Sequence, residues 1–166
     1  MKLIPISGRG RKSTGEFAII DDEDFYRVGH LNWNRNHHGY VTRTQWDKVN
    51  NRTGAQTLLH RLITNAEGRL TFVDHIDGNK LDNRRANLRL CNPSESVQNR
   101  KKSWGKNKYK GVQPKNSKIN PWVALVWANK KVHYLGVFPT EELAAIAYNK
   151  AAIKYQGEFA NLNVIE

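Results

Sequence analysis

The chain is expected to be an α+β protein made of two small units in series. Three observations carry this. A turn-rich loop joins two short apolar runs, from Val73-Asp74-His75-Ile76-Asp77-Gly78-Asn79 to Asn87-Leu88-Arg89-Leu90, and a helix start follows at Asn92-Pro93. Three strand candidates and one capped helix fill residues 109–166. The mean hydropathy is −0.72 over 166 residues, which suits two modest cores better than one large one, because small domains bury less of their surface.

Residues 1–58 read as a mixed α/β extension. Phe17–Ile20 is a short strand, and Asp21-Asp22-Glu23-Asp24 places acids at the positive end of a short helix reaching Val28. Alternation from Leu31 to Trp46 around Gly39-Tyr40-Val41-Thr42 suggests a hairpin, and Asn50–Gly54 a loop. The apolar run Thr57–Ile63 fits a helix or a strand. Within residues 59–102, Asp77-Gly78-Asn79 and Asp82-Asn83 carry turn chemistry, and Asn87–Cys91 is a strand. Asn92 caps a helix with Pro93 at its first position and Glu95 three residues on. Residues 103–108 belong to the basic run Arg100–Lys108, which is either a solvated linker or a strap along DNA phosphates. Residues 109–166 supply strands at Tyr109–Gln113, Trp122–Trp127 and Val132–Phe138. A helix then opens at Thr140 and closes at Gly157, with Leu143, Ala144, Ala147, Tyr148, Ala151 and Tyr155 on its apolar face. Val126, Leu135, Val137 and Phe138 are expected to face that helix.

Twenty-seven Lys and Arg against 15 Asp and Glu give a net charge of +12, which attracts a polyanion. Double-stranded DNA is the expected partner. No basic amphipathic helix of adequate length argues for a membrane, and no obligate protein partner is evident. Cys91 is the only cysteine, which excludes an internal disulfide and a cysteine-based zinc site. The first residues, Met1–Ile6, have no long apolar region, so a cytoplasmic protein is expected.

Cutting a phosphodiester needs a nucleophile, charge neutralisation on phosphate and stabilisation of the leaving oxygen. One divalent cation supplies the last two, and an Asp oxygen such as Asp74's suits Mg²⁺ or Mn²⁺. A histidine such as His75 deprotonates water near neutral pH. Neighbours on a regular strand point to opposite faces, so this pair needs the strand to end and bend, which the Gly78 turn permits. Taken alone, the pair also fits a surface turn. A calcium loop on Asp74, Asp77 and Asn79 lacks the glycine position and closing glutamate of that motif. His37 and His38 are expected in the hairpin loop, His30 partly buried, and His133 in a strand away from this chemistry.

The segment Leu59-His60-Arg61-Leu62, Val73–Asn79, Asp82-Asn83-Arg84 and Asn87-Leu88-Arg89 resembles the HNH nucleases found among phage and intron homing endonucleases. The resemblance implies a ββα-metal unit, with Asp74 as metal ligand, His75 as general base, Asn87 as loop brace and His60 in support. In that group the helix ligand lies nine residues after the middle asparagine and is Asn or His. Here that position is Ser96, a weaker and shorter ligand, with Asn99 one turn further on. An active nuclease and a DNA-binding protein with a disabled site, natural or engineered, both stay open.

Residues 109–163 resemble the Apetala-type (ethylene-response factor) DNA-binding domain. The carriers are Tyr109-Lys110-Gly111-Val112, Trp122-x-Ala124, Tyr134-Leu135-Gly136-x-Phe138, Thr140-Glu141-Glu142 and Gly157-Glu158-Phe159-Ala160-x-Leu162-Asn163. This implies a three-stranded antiparallel sheet in the major groove, backed by one helix. A ribbon of strands fits that groove. The DNA-binding candidates are Arg100, Lys101, Lys102, Lys110, Gln113, Lys115, Trp127, Lys131 and Tyr134, with Trp127 and Tyr134 equally readable as core aromatics. Together the resemblances imply a strand-nicking, homing-type endonuclease with one Mg²⁺ or Mn²⁺, working on DNA in a bacterial or phage-infected cell.

Overall fold

Ile4 and Ile6 are buried while their neighbours are exposed, and this period of two makes Lys2–Ser7 a strand, β1, with one core face. The computed structural model describes residues 1–8, 13–47, 52–99 and 107–165. It forms two units, Met1–Asn92 and Pro93–Glu166.

In the first unit β1 pairs antiparallel with β2 (Ser13–Ile20) and parallel with β3 (Trp33–Arg35). β4 (Val41–Asp47) and β5 (Arg52–Leu58) complete a five-stranded sheet in the order β2-β1-β3-β4-β5. The acidic run enters a 3-10 turn, Asp22–Asp24, that passes into α1 (Phe25–Val28). Two expectations change. The proposed loop at 50–54 already carries β5 from Arg52, because the Thr-rich stretch pairs with β4, Thr57 opposite Arg43 and Thr53 opposite Trp46. Asn50 and Asn51 lie outside the described residues. The run at 57–63 is both elements: the strand ends at Leu58 and α2 (Leu59–Thr64) begins at once.

The core gathers Ile4, Ile6, Ala18, Ile20, Val28, Trp33, Val41, Leu59 and Ile63. Trp33 is fully buried, and its indole N–H donates to the Val28 carbonyl at 2.9 Å. A tryptophan buried this way contributes about 3–5 kcal/mol relative to alanine. The same core takes Val73 and Leu88 from a separate hairpin, β6 (Phe72–His75) and β7 (Leu88–Cys91). The loop between those strands is stitched to the sheet. Ile19 N–H donates to Leu81 O and Asn83 N–H to Ile19 O, both at 2.8 Å. Arg85, in a 3-10 turn Arg85–Asn87, forks onto the buried Asp24 carboxylate at 2.8 and 2.9 Å. The acidic run therefore anchors the loop as well as starting a helix.

The second unit begins with α3 (Pro93–Gln98), starting at the expected proline. Its sheet has the order β10-β9-β8, from β8 (Val112–Pro114), β9 (Trp122–Ala128) and β10 (Lys131–Phe138), all antiparallel. Asn129 and Lys130 turn between β9 and β10 with φ of 52° and 61°, the two-residue hairpin geometry. α4 (Glu141–Gln156) is capped by Thr140, whose hydroxyl accepts from Leu143 N–H at 3.2 Å.

The buried face of α4 is the expected one widened by a residue on one side: Ala144 and Tyr148 are buried, Ala147, Ala151 and Tyr155 pack against the core, and only Leu143 departs. Ala144, Ala145, Tyr148, Ala152 and Gln156 are buried, and Leu143 is 45% exposed. Small residues at 144 and 145 let the helix lie close to Ala124 of β9. Val126, Leu135 and Phe138 pack toward α4 as expected. Val137 does not: it pairs with Val123, on the other parity of the ladder. A register shift between Tyr134 and Gly136 accounts for the misplacement. Gly111 has φ of +74°, and a Cβ there would lie 2.0 Å from the Tyr148 ring, so only glycine fits.

Candidate active site and nucleic-acid interface

The β6–β7 register sets the site. Asp74 pairs with Arg89 and His75 with Leu88, so the two residues leave opposite faces of the ladder. His75 ends its strand, and Gly78 N–H donates back to its carbonyl at 2.9 Å to close the turn.

On one face the His75 ring is buried. It meets His60 edge-on at 5.2 Å between centroids, with Tyr40 5.2 Å from His60 and 6.1 Å from His75. His75 Nε2 lies 3.4 Å from Asn83 Oδ1, a long contact. Asn83 Nδ2 already donates to the Lys80 and Leu81 carbonyls, so Oδ1 faces the ring as an acceptor. Burial pushes the His75 pKa below its ordinary value, and Asn83, Asp74 and Asp77 partly oppose this. His60 is driven further, down to about 3, by burial and then by His75 and Arg61. Its Nδ1 finds no hydrogen-bond partner among the described residues. Lys80 donates to His38 O at 2.6 Å, with its ammonium 4.3 Å from the Tyr40 ring centroid.

Asn87 is buried and braces the loop. Its Oδ1 accepts from Asp77 N–H at 3.1 Å, and its Nδ2 donates to Asp77 Oδ1 and to Asp82 O, both at 2.9 Å. Asp82 is clasped by Arg84 at 2.9 and 2.5 Å, which holds its carboxyl below the usual range. On the other face, Arg89 donates through Nε and Nη2 to Asp74 Oδ2, at 3.3 and 3.0 Å, with both side chains largely buried. Asp74 Oδ1 accepts no hydrogen bond among the described residues.

Asp74, His75, Asn87 and His60 belong to the first unit. Ser96, half-buried on α3, and Asn99, buried just beyond it, belong to the second. Asn99 O accepts from Asn161 Nδ2 at 3.2 Å. Among the described residues no three His, Cys, Asp or Glu side chains cluster as a metal cage. Asp74 nevertheless offers a partly buried hard oxygen of the kind Mg²⁺ and Mn²⁺ take, and those ions keep several waters and need few protein ligands. Asn83, Tyr40, Lys80 and Arg89 were given no site role from the sequence: Asn83 and Arg89 stand among the residues that carry the HNH resemblance, Tyr40 in the expected hairpin, and nothing singles out Lys80.

Of the DNA-binding candidates, Arg100, Lys101 and Lys102 lie outside the described residues. Gln113, Lys115, Trp127, Lys131 and Tyr134 are exposed, with Trp127 at 48% and Tyr134 at 62%, so the two aromatics are not core residues. Gln113 pairs with Val123 and Tyr134 with Leu125, which places Gln113, Trp127 and Tyr134 on the face away from α4. Lys131 pairs with Ala128, on the helix-side parity at the end of the ladder. Lys110 is only half-exposed. Its ammonium donates to the Gln98 carbonyl, and burial lowers its pKa to about 8. A cavity of about 330 Å³ opens between α3, at Val97 and Gln98, and the sheet, at Gln113, Leu125, Trp127 and Val132. His30, expected to be partly buried, is exposed, and so are His37 and His38 in their turn. His133 stacks on Tyr155 at 4.3 Å. No described helix is long and apolar enough to cross a membrane.

Residues 57–98 match the family model of the HNH endonucleases, a span that takes in α2, the β6–β7 hairpin and α3. The chain is 36% identical over 164 residues to an uncharacterized HNH endonuclease, L560, of Acanthamoeba polyphaga mimivirus, covering 96% of this chain and 79% of that one. It is also 46% identical over 52 residues to an ethylene-responsive transcription factor of Arabidopsis thaliana. That stretch covers 30% of this chain and 32% of the factor.

Proposed function

This chain belongs to the HNH endonuclease family, and on that footing we propose that it is a metal-dependent, homing-type nuclease that nicks duplex DNA after docking through its C-terminal sheet. The observation that carries the reading is the His75 environment. The ring ends its strand one residue after Asp74 and on the opposite face of the ladder, its Nε2 is turned to Asn83, and Asn87 braces the following loop by three hydrogen bonds. His75 takes a proton from water, the resulting hydroxide attacks phosphorus, and the bond to the 3′ oxygen breaks. Asp74 would hold one Mg²⁺ or Mn²⁺. Such an ion supplies charge neutralisation at the phosphate and at the leaving oxygen. Asn87 and Asn83 fix the histidine's direction, and His60 and Tyr40 wall its inner side. One such site cuts one strand.

In the second unit, Gln113, Trp127 and Tyr134 would face the major groove, with Lys115 and Lys131 reaching phosphates. The exposed aromatics on the sheet and the net charge of +12 support this. If roughly 6–10 phosphates are met, affinity falls about 10³–10⁵-fold between 50 and 200 mM salt. The location this implies is wherever the chain meets the DNA of its cell, in the cytoplasm of a bacterial or phage-infected host.

Supercoiled plasmid with Mn²⁺ tests the reading: relaxed circles should form and vanish with chelator. Ser96 favours a second reading, a DNA-binding protein with a disabled site. That reading predicts no nicking by this chain and nicking after Ser96→Asn.

A further inference from the structure

Arg89 does something the family assignment does not account for. It sits opposite Asp74 across the ladder and places two N–H groups on one oxygen, Oδ2, with side-chain exposures of 11% and 14% for the pair. The carboxylate proposed to hold the cation is thus already neutralised by a fixed guanidinium. Among the described residues nothing donates to Oδ1, so a divalent ion can take that oxygen, but it would do so beside a positive charge. Two cations on one largely buried carboxylate repel strongly. A phosphodiester removes that conflict, because its anionic oxygens can take both the ion and a guanidinium fork.

Resting on the nuclease reading above, we propose that Arg89 is an exchangeable counter-ion. It holds Asp74 in the resting protein and passes to the substrate phosphate when DNA arrives, so the cation binds productively only together with DNA. The feature behind this is the cross-strand Asp74–Arg89 pair. No covalent bond forms or breaks in the exchange: the guanidinium trades its Asp74 contact for the phosphate, whose single negative charge offsets part of the positive charge that the divalent ion brings.

The test measures Mn²⁺ binding by electron paramagnetic resonance, without cleavage. In the absence of DNA, Arg89→Met should bind Mn²⁺ about tenfold more tightly than the parent protein. Arg89→Lys keeps the charge and should stay within about twofold of the parent. With Arg89 retained and His75→Ala used to prevent cutting, a 30-base-pair duplex should tighten Mn²⁺ binding at least about tenfold. That arm stands even if Arg89→Met folds poorly. Unchanged or weaker Mn²⁺ binding in folded Arg89→Met, or no effect of the duplex, overturns the exchange. Asp74→Asn separates the two levels. If it leaves Mn²⁺ binding intact, the metal reading of Asp74 fails and the exchange with it. If it abolishes binding while Arg89→Met changes nothing, only the exchange is wrong.

Discussion

The two units are held together by different materials. Around His75 the first unit relies on directed polar contacts: Asn87 on Asp77 and Asp82, Asn83 on Lys80 and Leu81, Arg84 on Asp82, Arg85 on Asp24. The second relies on close approach of small residues, with Ala124 against Ala144 and Ala145, and Gly111 beneath the Tyr148 ring. The first should fail when a partner is lost, the second when volume is added.

The largest expected effect is in the second unit. Gly111→Ala puts a methyl 2.0 Å from Tyr148 Cδ2 and 2.6 Å from the Leu125 carbonyl, at a backbone φ of +74°. We expect a loss of about 3 kcal/mol or more, visible as a lower denaturant midpoint. Equal stability would show that the packing is looser than described. The matching break in the first unit is Asn87→Ala, which strands the Asp77 N–H and frees two acceptors. It should cost about 2 kcal/mol in chemical denaturation and reduce nicking further than that loss explains.

A third test uses acid. His60 is neutral when folded, with its pKa lowered to about 3 from 6.5. The unfolded chain takes this proton first, so its contribution to stability is complete above pH 6.5 and is lost as pH falls toward 3. His60→Gln should flatten that part of a stability–pH curve, and an unchanged slope would mean that the ring is not the acid-sensitive group. The smallest effect concerns the outer face of the sheet. Trp127→Ala removes a half-exposed ring that supports nothing in the core, so it should weaken DNA binding about tenfold while the melting temperature stays nearly constant.

These contrasts also explain what the sequence disclosed. Periodicity and caps reveal packing, so α4 with its Thr140 cap, the β9–β10 hairpin and the hairpin around Gly39 were all legible. The Asn92-Pro93 signal placed the start of α3. The face of α4 was legible except at its edge: alanines carry little periodic signal, and only the structure puts Ala145 inside and Leu143 outside. Strand β5 hid behind turn residues whose pairing comes from a distant strand. At the candidate site, Asp74, His75 and Asn87 were visible as chemistry. Their partners Arg89, Asn83 and Tyr40 were not, because hairpin register and loop closure decide them and neither is written in local composition.

The central claim is that the histidine ending β6 performs the cutting. The rate of nicking of one supercoiled plasmid in Mn²⁺, measured for the parent chain and His75→Ala at matched DNA occupancy, tests it most directly. The account predicts a fall of about 10²–10⁴-fold with unchanged DNA affinity. Nicking at the same rate by both proteins would contradict it.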